Sequence, residues 1–280
     1  MRIRSMRPSD FDFAAKLSNI ENWDNSSDDF RRITRIQPRG CFVATEKKRR
    51  VGIVTTISYG RLGWIGNLVV SKQYRRLGIG SWLVKHAILY LRKKGARTVG
   101  LFSYKRNLPF YQRLGFKRDV SYLRFVGRGR ALTYERPRSV DGKDFKRILM
   151  FDRKCFGYYR DRLLTELLER FRESSFVAIK NRDVQGYVIS KNYNNTCEIG
   201  PWICSREDVS TAGNLLKAVL STSIGKSVEI TVPSANHKAL RLLRNHNLKA
   251  DGSVVRMYHG DRTSLPDDRC VFAAESLERG

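Results

Sequence analysis

Residues 64–80, WIGNLVVSKQYRRLGIG, limit what this chain of 280 residues can fold into more than any other stretch. The segment opens as a nearly continuous apolar run from Trp64 to Val70, the pattern of a central strand. A polar loop then leads to an amphipathic helix headed by Arg75-Arg76-Leu77-Gly78-Ile79-Gly80. Two glycines one residue apart let backbone come close to a ligand. The first free amides of a helix point one way, with about half a positive charge behind them. A strand, loop and helix in this order make an anion cradle, here formed by Arg75, Arg76, Leu77, Gly78, Ile79, Gly80 and Ser81. The expected guest is a diphosphate.

Around that cradle the sequence predicts a mixed sheet with helices on both faces. Residues 2–6 alternate as an edge strand, and Ser9 and Asp10 are candidate caps for a helix burying Phe11, Ala14, Ala15 and Leu17. Trp23, Asp24 and Asn25 connect it to a second helix over 26–36, ended by Pro38-Arg39-Gly40. Strands at 41–45, 51–59 and 63–70 form a meander with a charged tip at 46–50. A helix over 81–94, a buried parallel strand over 99–103, a helix over 107–114 and a last strand over 117–125 complete the unit.

The chain then repeats itself. Phe42-Val43-Ala44 recurs as Phe176-Val177-Ala178, Gly52 as Gly186, Ile65-Gly66 as Ile199-Gly200 and Ser71 as Ser205, all at one offset of 134. The expected organisation is a first domain over 1–126, a basic joint over 127–133, a second copy over 134–260 and a loose polar tail over 261–280. In the second copy Arg75, Gly78 and Gly80 fall on Val209, Ala212 and Asn214, so that copy keeps the fold without the cradle. It is expected to act as a partner wall, an acceptor platform or the surface of a homodimer.

Arg75-x-x-Gly78-x-Gly80 resembles the acyl-coenzyme A signature of the GNAT superfamily of N-acetyltransferases. Residues 108–116, LPFYQRLGF, resemble that superfamily's later Tyr-x-x-x-Gly-Phe segment. The tandem layout, with Tyr193, Ile199-Gly200-Pro201 and Arg256-Met257-Tyr258, is similar to GNAT proteins with a degenerate second domain. The resemblance implies an α/β fold (an α+β mixed sheet) of two tandem GNAT-like domains, each mostly antiparallel with a splayed central parallel pair. It implies acetyl-coenzyme A as co-substrate and direct attack of a primary amine in a ternary complex. The pantetheine arm would pair with the backbone of Leu68, Val69 and Val70. Asn107 would be a helix cap first and a cofactor contact second, and Trp23 and Asp24 would border the acceptor.

Acetyl transfer to an amine also needs an acid and a base. Tyr111 sits where the family places its acid, and a phenol with a pKa near 10 can donate to a departing thiolate. An alkyl ammonium is neutral only about 0.04% of the time near pH 7, so a base or a desolvating pocket should help. Many relatives use a glutamate on the strand corresponding to 63–70, and this strand holds no acid, only Asn67. Water, Asp24, Asp119 and Glu198 remain open.

A net charge of +27 is not spread evenly: residues 1–138 hold 31 Lys and Arg against 9 Asp and Glu, and the rest 23 against 18. Coenzyme A accounts for few of those cations. The surplus fits a nucleic acid or another anionic partner, or equally a solvated basic surface. Two alternatives to catalysis therefore stand: an acyl-coenzyme A sensor and a nucleic-acid-associated binding protein. No apolar run approaches a membrane span, and the first ten residues lack a signal-peptide core, so a cytoplasmic location is expected, with the nucleus left open. Five scattered cysteines indicate reduced thiols, neither a disulfide framework nor a metal site.

Overall fold

The computed structural model describes residues 1–135, 137–206, 208–262 and 265–280. The first half runs β1 (Arg2–Ser5), α1 (Phe11–Asn19), α2 (Ser27–Ile36), β2 (Cys41–Glu46), β3 (Arg49–Ser58), β4 (Leu62–Val70), α3 (Ile79–Lys93), β5 (Thr98–Ser103), α4 (Leu108–Gln112) and β6 (Lys117–Arg128). The second repeats this order as β7 (Arg138–Ser139), α5 (Phe145–Phe156), α6 (Asp161–Arg170), β8 (Phe176–Lys180), β9 (Asp183–Asn192), β10 (Thr196–Cys204), α7 (Val209–Thr222), β11 (Ser227–Pro233), α8 (His237–Asn245) and β12 (Lys249–Gly260). A short strand β13 (Val271–Ala273) follows.

Local chemistry explains the boundaries. Ser26 and Asp29 form a reciprocal capping box at α2, with Ser26 N donating to Asp29 Oδ2 at 2.8 Å and Asp29 N to Ser26 Oγ at 3.3 Å. Before α1, Asp10 accepts from Arg7 N at 2.8 Å and from the Arg4 guanidinium at 2.6 and 2.9 Å. The same clasp recurs before α5, where Asp144 accepts from Asp141 N at 2.9 Å and from Arg138 at 2.7 and 2.8 Å. The duplication thus extends to a buried carboxylate that the offset anchors did not include.

The halves do not build separate sheets. Among the described residues thirteen strands form one sheet in the order β1-β2-β3-β4-β5-β12-β6-β11-β10-β9-β8-β7, with β13 on β10. The two long last strands are exchanged: β12 pairs antiparallel with β5, and β6 with β11, while β6 and β12 pair with each other at the centre. β6 also runs on to Arg128, into the stretch expected to be a joint. At the exchange, buried Arg256 on β12 donates to Asp119 on β6 at 2.7 Å and to Asp268 at 2.7 and 2.8 Å, and Tyr122 donates to Asp268 at 2.8 Å. A single core is shared by α1 and α2 of one half and α5 and α6 of the other. The faces carrying the two connecting loops therefore pack toward each other.

The expectation of a loose tail does not hold. Phe272, Ala273 and Glu275 are fully buried, and β13 lies antiparallel to β10 through Trp202↔Ala273 and Ile203↔Val271. Its continuation crosses to the first half, where Tyr59 donates to Arg279 O at 2.6 Å and the Trp64 indole to Leu277 O at 3.5 Å. Glu275 anchors this crossing: Arg279 Nε donates to it at 2.8 Å, and Lys191 Nζ stands 3.3 Å away. The apolar residues of 271–274 supply the burial. Asp267, Asp268, Glu275 and Arg279, charges that made the tail read as solvated, are paired internally.

Candidate functional site

Two features of the first half open a cavity. β4 and β5 pair in parallel only from Leu62↔Thr98 to Trp64↔Gly100, and beyond that point they part. A bulge follows, with the register shifting between Ile53 and Thr55 and Asn67 at φ 46°, which turns the remainder of β4 away from β5. The gap continues to the start of α3 as a cavity of about 770 Å³.

Among the cradle residues, Gly78 takes φ 78° at the N-cap of α3, and a Cβ there would meet nothing within 4 Å. Only an open turn with a left-handed residue gives this shape, which is why a glycine serves. No side chain caps the helix. Gly78, Ile79, Gly80 and Ser81 line the cavity, so the first-turn amides face it. Arg75 is held differently from expectation: its Nε donates to Val70 O at 3.0 Å and its Nη2 to Glu21 at 2.5 Å. Glu21 also lies 3.8 Å from Arg106, so it bridges the cavity mouth from the α1–α2 connection. The amides and exposed Arg76 are left as the donors for an anion, with Arg75 a wall. Leu77 is exposed and does not line the cavity.

Leu68, Val69 and Val70 line the gap, and Asn107, Phe110 and Tyr111 face them from the α4 side. Asn107 stands at the N-cap of α4, yet its side chain makes no capping bond, leaving it toward the cavity. The Tyr111 ring is gripped edge-on by Phe110 and Phe116 at 4.9 and 5.8 Å. Its hydroxyl has no hydrogen-bond partner among the described residues, and burial pushes its pKa above the ordinary phenol value. Trp23 both borders the cavity and packs on the shared core. Asp24 is exposed and lies outside the lining. Sequence reasoning missed Glu21, Tyr74, Tyr104, Arg106 and Phe110: the last four carry no motif of their own and reach the cavity beside motif residues, whereas Glu21 arrives from the distant α1–α2 connection.

Of the open candidates for a base, Asp119 is locked between Arg256 and Arg262 at 2.6 and 3.0 Å. Glu198 lies 3.0 Å from Lys191, and burial pushes its carboxyl upward. The histidines lie away from the cavity lining: His86 packs edge-on to Phe42 at 4.5 Å, and His246 and His259 stand 3.5 and 3.3 Å from the guanidinium groups of Arg130 and Arg92.

The second half has the corresponding gap, and it is filled. β10 and β11 pair in parallel only as far as Ile199↔Ile230. β13 then enters, bonding to β10 at Trp202 and Ile203, the residues aligned with Leu68 and Val69. Asn236 Nδ2 donates to Val271 O at 2.9 Å, and Ala274 N to Thr231 O at 2.9 Å, closing the slot from the β11 side. Loss of the cradle glycines and occupation of the slot agree: that copy holds its own chain where the first copy holds space.

Family models described as acetyltransferase (GNAT) domains match residues 37–118 and 148–273, together more than half of the chain. The chain belongs to the GNAT superfamily. Among curated relatives it is 31% identical to an uncharacterised N-acetyltransferase of Bacillus subtilis, over 54% of this chain and 55% of that one. It is 40% identical to the N-alpha-acetyltransferase MAK3 of Arabidopsis thaliana, over 32% of this chain and 50% of that one. The matched stretches thus span about half the length of these curated relatives. Among solved GNAT-like folds, a putative acetyltransferase from Pyrococcus horikoshii superposes with TM-score 0.84 at 21% identity, covering 100% of this chain and 95% of the other. A GCN5-related N-acetyltransferase from Sphaerobacter thermophilus gives TM-score 0.69 at 16% identity, over 92% and 95%. The fold is therefore shared along nearly the whole chain. No described helix is long and apolar enough to cross a membrane.

Proposed function

We propose that this protein is an N-acetyltransferase moving an acetyl group from acetyl-coenzyme A to a primary amine by direct attack, with the acetyl-coenzyme A site in the first half. The observation carrying this reading is the continuous cavity from the bare first turn of α3 into the gap between β4 and β5. The α3 amides and Arg76 would take the diphosphate, and the β4 backbone at Leu68, Val69 and Val70 would pair with the amides of pantetheine. The pairing of β13 with the aligned part of β10 is an internal example of an extended chain seated in the same slot. Asn107 would contact the arm, and Tyr111, with a free hydroxyl on the cavity, would protonate the departing sulfur. Trp23 would border the acceptor. The second half would serve as the wall that closes the acceptor side. Relatives named for N-alpha-acetylation and for glucosamine 6-phosphate acetylation favour a small or terminal primary amine. Five unpaired, buried cysteines fit a reducing compartment such as the cytoplasm.

Calorimetry tests the cradle directly. Gly78→Asp places a carboxylate where the diphosphate belongs; its Cβ meets open space but the φ of 78° strains it by about 1–2 kcal/mol, a cost read separately from the melting temperature, and acetyl-coenzyme A affinity should fall by about 100-fold or more. Unchanged affinity overturns the reading.

A further inference from the structure

The transfer needs a group to take the acceptor's proton, and β4 carries none. Yet a carboxylate does arrive at β4 from the far end of the chain. Residues 275–280 cross from the second half to the first and lie on the face of β4 that bears Trp64 and Gly66, the side of α1 and α2. The approach is close enough to demand glycine. A Cβ on Gly66 would stand 2.8 Å from Glu278 Cα and 2.9 Å from Glu278 Cβ, and closer still to Glu278 O. Gly66 is two residues before Leu68 on the cavity wall, at most about 7 Å away across the Asn67 bulge, and Glu278, which stands outside the cavity lining, has a side chain long enough to span most of that.

The other carboxylates near this point are occupied. Glu21 is held by Arg75 and Arg106, Asp119 by Arg256 and Arg262, Glu198 by Lys191 and Glu275 by Arg279 and Lys191. Glu278 is half-buried and has no hydrogen bond or ion pair among the described residues. The charged groups that face it are Glu198 of β10 and its neighbour Arg279. Arg279 is itself fixed to Glu275 at 2.8 Å, and the backbone on either side is fixed by Tyr59 and Trp64. The segment is thus rigidly placed while this one side chain is left free.

We propose that Glu278, delivered by the C-terminal segment to the face of β4 at Gly66, is the general base of the first half's transfer reaction. The proposal rests on the acetyltransferase reading above. The acceptor ammonium gives a proton to the Glu278 carboxylate, directly or through one water, and the neutral amine attacks the thioester carbonyl carbon. As the carbon–sulfur bond breaks, the sulfur takes the Tyr111 proton. The new amide nitrogen loses its extra proton to the Tyr111 phenolate, and Glu278 releases its own to solvent. One proton is set free per amide formed. The second half then has a catalytic use without a cofactor site of its own: by holding β13 in its slot, it aims the segment that follows.

The test is E278Q in the full chain, with acetyl-coenzyme A and three amines (a peptide α-amine, a polyamine and an amino sugar), following free thiol. The expected result is a fall in kcat/KM for the amine of about 100-fold at pH 7. Acetyl-coenzyme A affinity by calorimetry and the melting temperature should match wild type. The defect should narrow as the pH is raised toward 9, because the amine then deprotonates by itself. A purely structural role would not produce that narrowing. E278Q turning over like wild type, or a loss equal at every pH, overturns the proposal, as does the same defect appearing in E198Q instead. Wild-type protein that binds acetyl-coenzyme A but releases no thiol with any of the amines overturns the base and leaves the cofactor site standing. Wild-type protein that binds no acetyl-coenzyme A overturns the acetyltransferase reading, and this proposal with it.

Discussion

Tyr111 shows how one residue can be prepared by its surroundings. Its ring contributes to packing through Phe110 and Phe116, while its hydroxyl borders the cavity without a partner among the described residues. Phenylalanine at this position keeps the first and deletes the second. Tyr111→Phe should therefore lower kcat about 100-fold, leave acetyl-coenzyme A affinity unchanged by calorimetry, and cost no stability in a denaturant titration. The motif Tyr111-x-x-x-Gly115-Phe116 made this residue legible. Glu21 was not, because its place across the cavity mouth depends on Arg75 and Arg106, which are distant in the chain. Arg75 likewise looked like a phosphate ligand, and its bond to Glu21 appears only once the α1–α2 connection folds over the cradle.

Among the elements, β13 and the segment after it matter most, and their charges concealed them. Glu275 is fully buried between Lys191 and Arg279. Burial opposes its ionisation, but the two cations outweigh that and hold its carboxyl well below the usual range. A depressed carboxylate contributes stability that is present above its unfolded pKa of about 4.3 and is lost as pH falls through its folded value. Glu275→Gln, which leaves two buried cations with a neutral partner, should thus cost about 3 kcal/mol at pH 7 by urea denaturation. The gap between variant and wild type should begin to shrink near pH 4 and close only in strong acid. Equal stabilities at pH 7 would show that the segment is held by its apolar residues alone. Composition pointed the other way, since Asp, Arg and Pro dominate residues 261–270, and nothing local says that Val271, Phe272 and Ala273 will find a slot between two strands.

At the scale of the molecule, the exchange of β6 and β12 turns two repeats into one folding unit. β5 has its antiparallel neighbour only from the other half, and β11 likewise. A fragment of residues 1–126 would leave the outer edge of β5 bare or force β6 into a place it does not occupy here. It would also lack the wall of α5 and α6 that completes the shared core. That fragment should show no cooperative thermal transition when expressed alone, whereas co-expression with residues 127–280 should restore one in a single complex. A fragment that melts cooperatively by calorimetry would mean that the exchange is dispensable.

The order of elements, the duplication at an offset of 134, and the placing of the bare first turn of α3 and of Tyr111 beside one another all followed from the sequence. Each is written in local periodicity, glycine placement or a short motif, and each needs only neighbours in the chain to take shape. Which last strand completes which half could not follow, because β5 and β11 descend from the same element and offer equivalent edges to either candidate. The burial of the tail, the filling of the second slot and the arrival of Glu278 at Gly66 are settled at separations of up to 212 residues. Only the folded arrangement brings those partners together, since their affinity lies in shape and charge that no local pattern records.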